Sequence, residues 1–129
     1  MGMVSSAPIA ATPIAFVQAI VAAYVRAGRD PSAALAQAQI APAQLQQADA
    51  RITAWQMERI SELAMRELDD EALGWFRRRL PWGSYGMLAR ASLSAPTLAL
   101  AIKRWCRHHG LIAEDITLTL QTSGSTASI

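Results

Sequence analysis

Cysteine occurs once in these 129 residues, as Cys106. No internal disulfide can staple the chain, and a lone thiol suits a reducing compartment, so the cytoplasm is the expected location. Histidine occurs only at His108 and His109. Cys106 and His109 would be i,i+3 neighbours on a helix, but two such residues are too few to close a structural metal site. The plainer reading is a core thiol beside a histidine at a helix end, where an imidazolium meets the negative end of the dipole. The same scarcity removes hydrolytic triads, since no serine sits on a strand-to-helix elbow. Gly83-Ser84-Tyr85-Gly86 lacks the preceding strand and the lysine of a phosphate loop. No catalytic residue, metal or cofactor is expected, and the chain does not read as an enzyme.

Long apolar runs are also lacking. The longest, Pro13 to Val25, contains Gln18 and falls short of the roughly 20 residues that span a bilayer. No basic residue precedes it, which excludes a signal peptide. Met1-Gly2-Met3-Val4-Ser5-Ser6 fits the short myristoylation pattern, but nothing else in the chain supports an anchor. Aromatics make up only 6% while the hydrophobic fraction is 52%, so the core must be mostly aliphatic with four tryptophans as anchors. The net charge of +2 is too small for bulk attraction to DNA. It hides an asymmetry. Glu58 to Glu71 carries six acids and two arginines, whereas Ala72 to Ala113 carries seven basic residues and no acid.

What is present is a series of helix signals. Met1 to Ala11 reads as a flexible leader, and 12–129 as one domain. Thr12-Pro13 supplies a cap and a first-turn proline for a helix offering Ile14, Val17, Ile20, Val21, Tyr24 and Val25 to a core, with Gly28 as its left-handed stop. Asp30-Pro31 and Ala41-Pro42 open two shorter helices. That pair has no basic residue between Pro31 and Ala48, so it reads as packed structure and not as a DNA-reading helix-turn-helix. Thr53-Ala54-Trp55-Gln56 is a capping box. It opens a helix to Leu68 with Met57, Ile60, Ala64 and Leu68 in one stripe and a Glu62–Arg66 pair on another face. Asp69-Asp70-Glu71 ends it and can cap a next short helix.

Residues 83–110 read as two helices joined at Ser94-Ala95-Pro96-Thr97-Leu98, with Ser94 or Thr97 as the second cap. That second helix places Leu98, Ala101, Ile102, Trp105 and His109 on one side. Ile116, Leu118 and Leu120 then alternate with Thr117, Thr119 and Gln121 as a strand, Ser123-Gly124-Ser125 is a turn, and Thr126 to Ile129 begins a return strand. The fold class expected is a mainly α domain with a small C-terminal β-hairpin region, an incomplete α+β unit. The strand edge at 116–122 is expected at a homodimer contact.

Ala50-Arg51-Ile52, Ala72-Leu73-Gly74 and the ordered pieces of 83–110 together resemble the N-terminal effector-binding domain of AraC-type transcription regulators. The resemblance covers roughly Gly28 to Thr122 and departs at Gln39 and at Trp75-Phe76. It implies a sensory domain that binds a small-molecule effector, contributes to dimerisation, and governs a C-terminal helix-turn-helix half that these residues do not include. DNA would then be contacted only through that half. The acid-free stretch favours an anionic effector. Arg90, mid-helix among apolar residues, is the leading contact, with Tyr85, Trp105 and His109 as further effector-binding candidates. Arg77-Arg78-Arg79 reads as a site for an anionic effector or for DNA, or as a solvated helix end. The competing reading is a protein–protein interaction module without a small-molecule ligand.

Overall fold

The computed structural model describes residues 8–129, so the myristoylation-type sequence and most of the expected leader lie outside the described residues. The described residues form five α-helices and two small antiparallel hairpins, a mainly α fold with a small β part. Strand β1 (Ala10–Pro13) pairs antiparallel with β2 (Arg51–Thr53), Pro13 lying opposite Arg51. Strand β1 therefore lies partly within the expected leader. Thr12 and Pro13 are strand residues and not a helix start: α1 (Ala15–Arg26) begins after Ile14, which has no side-chain cap. The strand entry is instead held by its pairing partner: the Ile14 amide donates to the Ala50 carbonyl at 2.9 Å and Arg51 Nη1 donates to the Ala11 carbonyl at 2.7 Å.

The remaining early signals act as read. Gly28 stops α1 at φ +66°. The Asp30 carboxylate accepts from the Ser32 amide and hydroxyl and opens α2 (Ser32–Gln37), and Pro42–Gln46 is a 3₁₀ turn. Helix α3 (Ala54–Glu67) carries the reciprocal cap: Gln56 N donates to Thr53 Oγ1 at 3.1 Å, and Thr53 N to Gln56 Oε1 at 2.9 Å. Glu62 and Arg66 pair at 3.3 Å. The first core gathers Ile14, Val17, Ile20, Tyr24, Leu35, Ile40, Ile52, Ile60 and Ala64. Val21 is only partly buried, and Val25 faces solvent at 68% exposure. The Tyr24 hydroxyl donates to Glu67 at 2.7 Å, tying α1 to the end of α3.

A second apolar cluster is separate from the first: Ala72, Leu80 and Ala113, with Phe76, Tyr85 and Ile112 against them. It anchors a helical hairpin of α4 (Ser84–Leu93) and α5 (Leu98–Ile112). Thr97 is the α5 cap, accepting from Leu100 N at 3.2 Å, and Pro96 lies just outside the helix. Leu98, expected on the buried side, is 76% exposed at the first turn of α5. No helix forms between Glu71 and Leu80; that stretch is turns and bends. At the C-terminal side the expected strand is displaced. Residues 116–120 are extended without a ladder partner, and the hairpin is β3 (Gln121–Ser123) with β4 (Thr126–Ser128) about a turn at Gly124. Alternation left Leu118 and Leu120 half-buried, but no neighbouring strand lies beside 116–120 to make them a sheet.

Candidate functional site

Three consecutive acids organise the join between the two clusters. Asp70, only 7% exposed, accepts from Ala72 N and Leu80 N on Oδ1 at 2.9 and 3.0 Å, and from Gly74 N on Oδ2 at 3.0 Å. One carboxylate thus replaces the backbone pairing that a helix would have given 71–80, which is why no helix forms there. Glu71 reaches forward, accepting from Gly83 N and Tyr85 N at 2.7 Å each. It caps α4 from outside, because Gly83 at the cap position (φ +98°) has no side chain to do so. Asp69 accepts from Trp82 N at 2.8 Å.

The Glu71 cap presents Tyr85 to α5. Tyr85 stacks on Trp105, centroids 5.9 Å apart and planes at 15°, and its hydroxyl lies 3.3 Å from His109 Nε2. His109 is 2% exposed, Phe76 meets it edge-on, and its Nδ1 has no partner among the described residues. Burial pushes the Tyr85 phenol above its ordinary range, and the negative charges of Glu71 and Asp70 push it further. The structure therefore brings together three of the residues singled out from the sequence, Tyr85, Trp105 and His109. It does not bring Arg90 to them: Arg90 is exposed on α4, with no hydrogen bond or ion pair among the described residues. Cys106 is buried on α5 beside this stack, and no group of three metal-binding side chains occurs among the described residues.

A cleft of about 510 Å³ opens on the other side of the same loop. One wall is the end of α1, with Ala23, Arg26 and Ala27; the other is Leu68, Asp70 and the loop from Gly74 to Arg79. Gly74 makes the walls meet. At φ +74° it lies so near α1 that a Cβ would stand 2.4 Å from the Ala23 Cβ, and Arg26 Nη2 donates to its carbonyl at 3.0 Å. Trp75 rests on Phe16, centroids 5.8 Å apart. Arg77 donates to Asp115 through its backbone N and Nε, at 3.2 and 3.3 Å, and Arg79 stands 3.9 Å from Asp69. The arginine run is thus part of a loop and not a helix end. Arg26, Trp75 and Phe76 were not legible as site residues. The acid-free stretch pointed at Arg77 and Arg79, but Arg26 meets the loop across 48 positions, and no local pattern announces that.

A second, open groove of about 630 Å³ lies along α2 and α3, lined by Gln37, Gln39, Trp55, Glu58, Arg59 and Glu62. Its guanidinium is already held, Arg59 donating to Gln37 at 2.9 Å and to Glu62 at 3.2 Å.

Residues 28–129 match the family described as the arabinose-binding domain of AraC transcription regulators, N-terminal. The chain belongs to that family. It is a regulatory ligand-binding domain of the AraC type, a family of regulators and not of enzymes. No curated protein and no solved structure matches it. The matched stretch takes in everything from α2 to β4, including both clefts' loop and helix walls apart from the end of α1. Among the described residues no helix of this AraC-type domain is long and apolar enough to cross a membrane.

Proposed function

We propose that this chain is the sensory half of a cytoplasmic AraC-type regulator: it binds a small organic effector, contributes to self-association, and leaves DNA contact to residues outside it. The observation that carries the reading is the family membership over 28–129. Clefts of the size that small ligands occupy agree with it. In this reading the Tyr85, Trp105 and His109 stack is the responsive joint between α4 and α5.

The test is thermal-shift screening of the 129-residue chain against metabolites of several charge classes. A ligand at a hundredfold excess over its Kd adds roughly 2.7 kcal/mol and raises the midpoint visibly. The same chain should not retard duplex DNA in a sequence-specific way. Stabilisation by no small molecule would favour the second reading, an association module without a ligand. One observation supports that alternative: Met87, Leu93, Leu98 and Leu111 of the α4–α5 hairpin are all more than half exposed.

A further inference from the structure

We propose that the cleft between the end of α1 and the 74–79 loop is the effector site, and that it takes a small organic carboxylate with a flat or apolar body. The inference rests on the sensory reading above and adds to it a place and a ligand chemistry.

The charge that would hold the carboxylate is Arg26. Its Nη2 is fixed by the Gly74 carbonyl, a neutral acceptor, and no carboxylate lies within salt-bridge distance of it among the described residues. The guanidinium is therefore positioned but not neutralised. A planar fork of this kind matches a carboxylate with two parallel hydrogen bonds. Arg79 is paired only loosely, at 3.9 Å from Asp69 and 61% exposed. Arg77 bonds Asp115 through Nε and the backbone, and its outer nitrogens make no other hydrogen bond among the described residues.

Repulsion inside the cleft is small for a structural reason. Asp70 is the sole acid of its lining, and both its oxygens already accept backbone N–H groups. An incoming anion thus meets a carboxylate whose charge is already stabilised by three donors. The apolar body would lie against Trp75, Phe76, Leu68 and the two alanines of α1. Trp75 is 46% exposed, leaving ring surface for a ligand to cover.

The site also has a route outward. Phe76 lines the cleft and its ring also meets His109, so a ligand displacing Phe76 would displace the ring that packs on the Tyr85 stack. Occupancy would then bias the α4–α5 hairpin through contacts already in place.

The experiment uses phenylacetate as probe, with phenylacetamide and phenethylamine as neutral and cationic counterparts of the same shape. Binding is followed by calorimetry and by tryptophan emission. Saturable one-to-one binding of phenylacetate, at least tenfold tighter than either counterpart, is expected, roughly millimolar for so small a ligand. Arg26→Gln should weaken it at least tenfold, and the exposed Arg79→Gln, which cannot disturb the fold through buried contacts, severalfold. Trp75→Phe should reduce the emission change and keep the heat. Binding that survives Arg26→Gln and Arg79→Gln but is lost in Arg90→Gln would overturn the assignment of the cleft and leave the sensory reading standing. Equal binding of the three probes would overturn the carboxylate class. A chain that binds no probe and is stabilised by no metabolite would overturn the assignment and the sensory reading together.

Discussion

The Phe76 ring meets the imidazole of His109 edge to face, centroids 6.2 Å apart and planes at 85°. The two residues come from different parts of the molecule, a turn-rich loop and the last turns of α5, and they make the loop and the hairpin one surface. The His109 ring is shared: Tyr85 takes its Nε2 side and Phe76 its edge.

Removing that shared ring should therefore loosen both. His109→Ala is expected to lower the unfolding free energy by about 2–4 kcal/mol, in the range of other buried large-to-small changes. Tyr85→Phe keeps the stack on Trp105 and loses only the contact with Nε2, costing about 1 kcal/mol. Urea denaturation of the two variants measures the difference. Equal costs would show that the hydrogen bond, and not the packing, holds the joint.

Alkaline titration reads the same residue by another route. The chain has two tyrosines, and both phenols lie above their ordinary range: Tyr24 through burial and its bond to Glu67, Tyr85 through burial with Glu71 and Asp70 nearby. A raised folded value means that the folded state holds its proton more tightly, so this stability is complete below the unfolded value of about 10 and is lost as pH rises above it. Phenolate absorbance of the native chain at about pH 10 should fall below that of the urea-unfolded chain, which is half ionised there. Half ionisation of the native chain at that pH would contradict the burial of Tyr24 and the partial burial of Tyr85 beside Glu71 and Asp70.

The two glycines at the ends of α1's neighbourhood should respond differently to the same change. Gly28 has φ +66° and open space around it, so Gly28→Ala carries only the left-handed penalty, about 1 kcal/mol. Gly74 has φ +74° and Ala23 directly in the way, so Gly74→Ala should cost about 3 kcal/mol or more and push the loop off α1. Thermal unfolding of both variants decides it; similar midpoints would mean that the loop does not lie against α1.

Self-association is the fourth expectation. The strand edge foreseen at 116–122 is not a strand before Gln121, so the better surface is the apolar hollow of about 260 Å³ between α4 and α5, flanked by the exposed Met87 and Leu111. Sedimentation should show a concentration-dependent dimer that Leu111→Lys weakens at least tenfold. A monomer at high micromolar concentration would assign the hollow to something other than a second copy.

Most elements were legible because their signals are local. Thr53 and Gln56 lie three positions apart and satisfy each other, and Gly28 needs only its own φ. The errors share one cause, a partner distant in sequence. Thr12-Pro13 carries a sound helix start, yet pairing with Arg51–Thr53 takes it as a strand. Asp70 looks like a helix cap, but Leu80 N ten residues on recruits it and the segment becomes a loop. The alternation at 116–120 had the right period and found no strand beside it. Of the site, periodicity put Trp105 and His109 on one face of α5, while Tyr85, on the preceding helix of the same hairpin, meets them only through the packing of α4 on α5. The cleft required Arg26 and Gly74 to meet across 48 positions, and only the packed α1 and α3 arrange that.

The two apolar clusters have no residue in common. Between them stands the Asp70 carboxylate with its three backbone donors, and the join is bridged by Trp75 on Phe16 and Phe76 on His109. The hairpin is therefore expected to open more readily than α1, α2 and α3, which share a core of their own. In hydrogen exchange such a chain has two tiers, slow amides in the first core and faster ones in α4 and α5. A sensor gains from that layering: the half that must yield to a signal is held by few bonds, and the half that keeps the chain folded is not involved in the yielding.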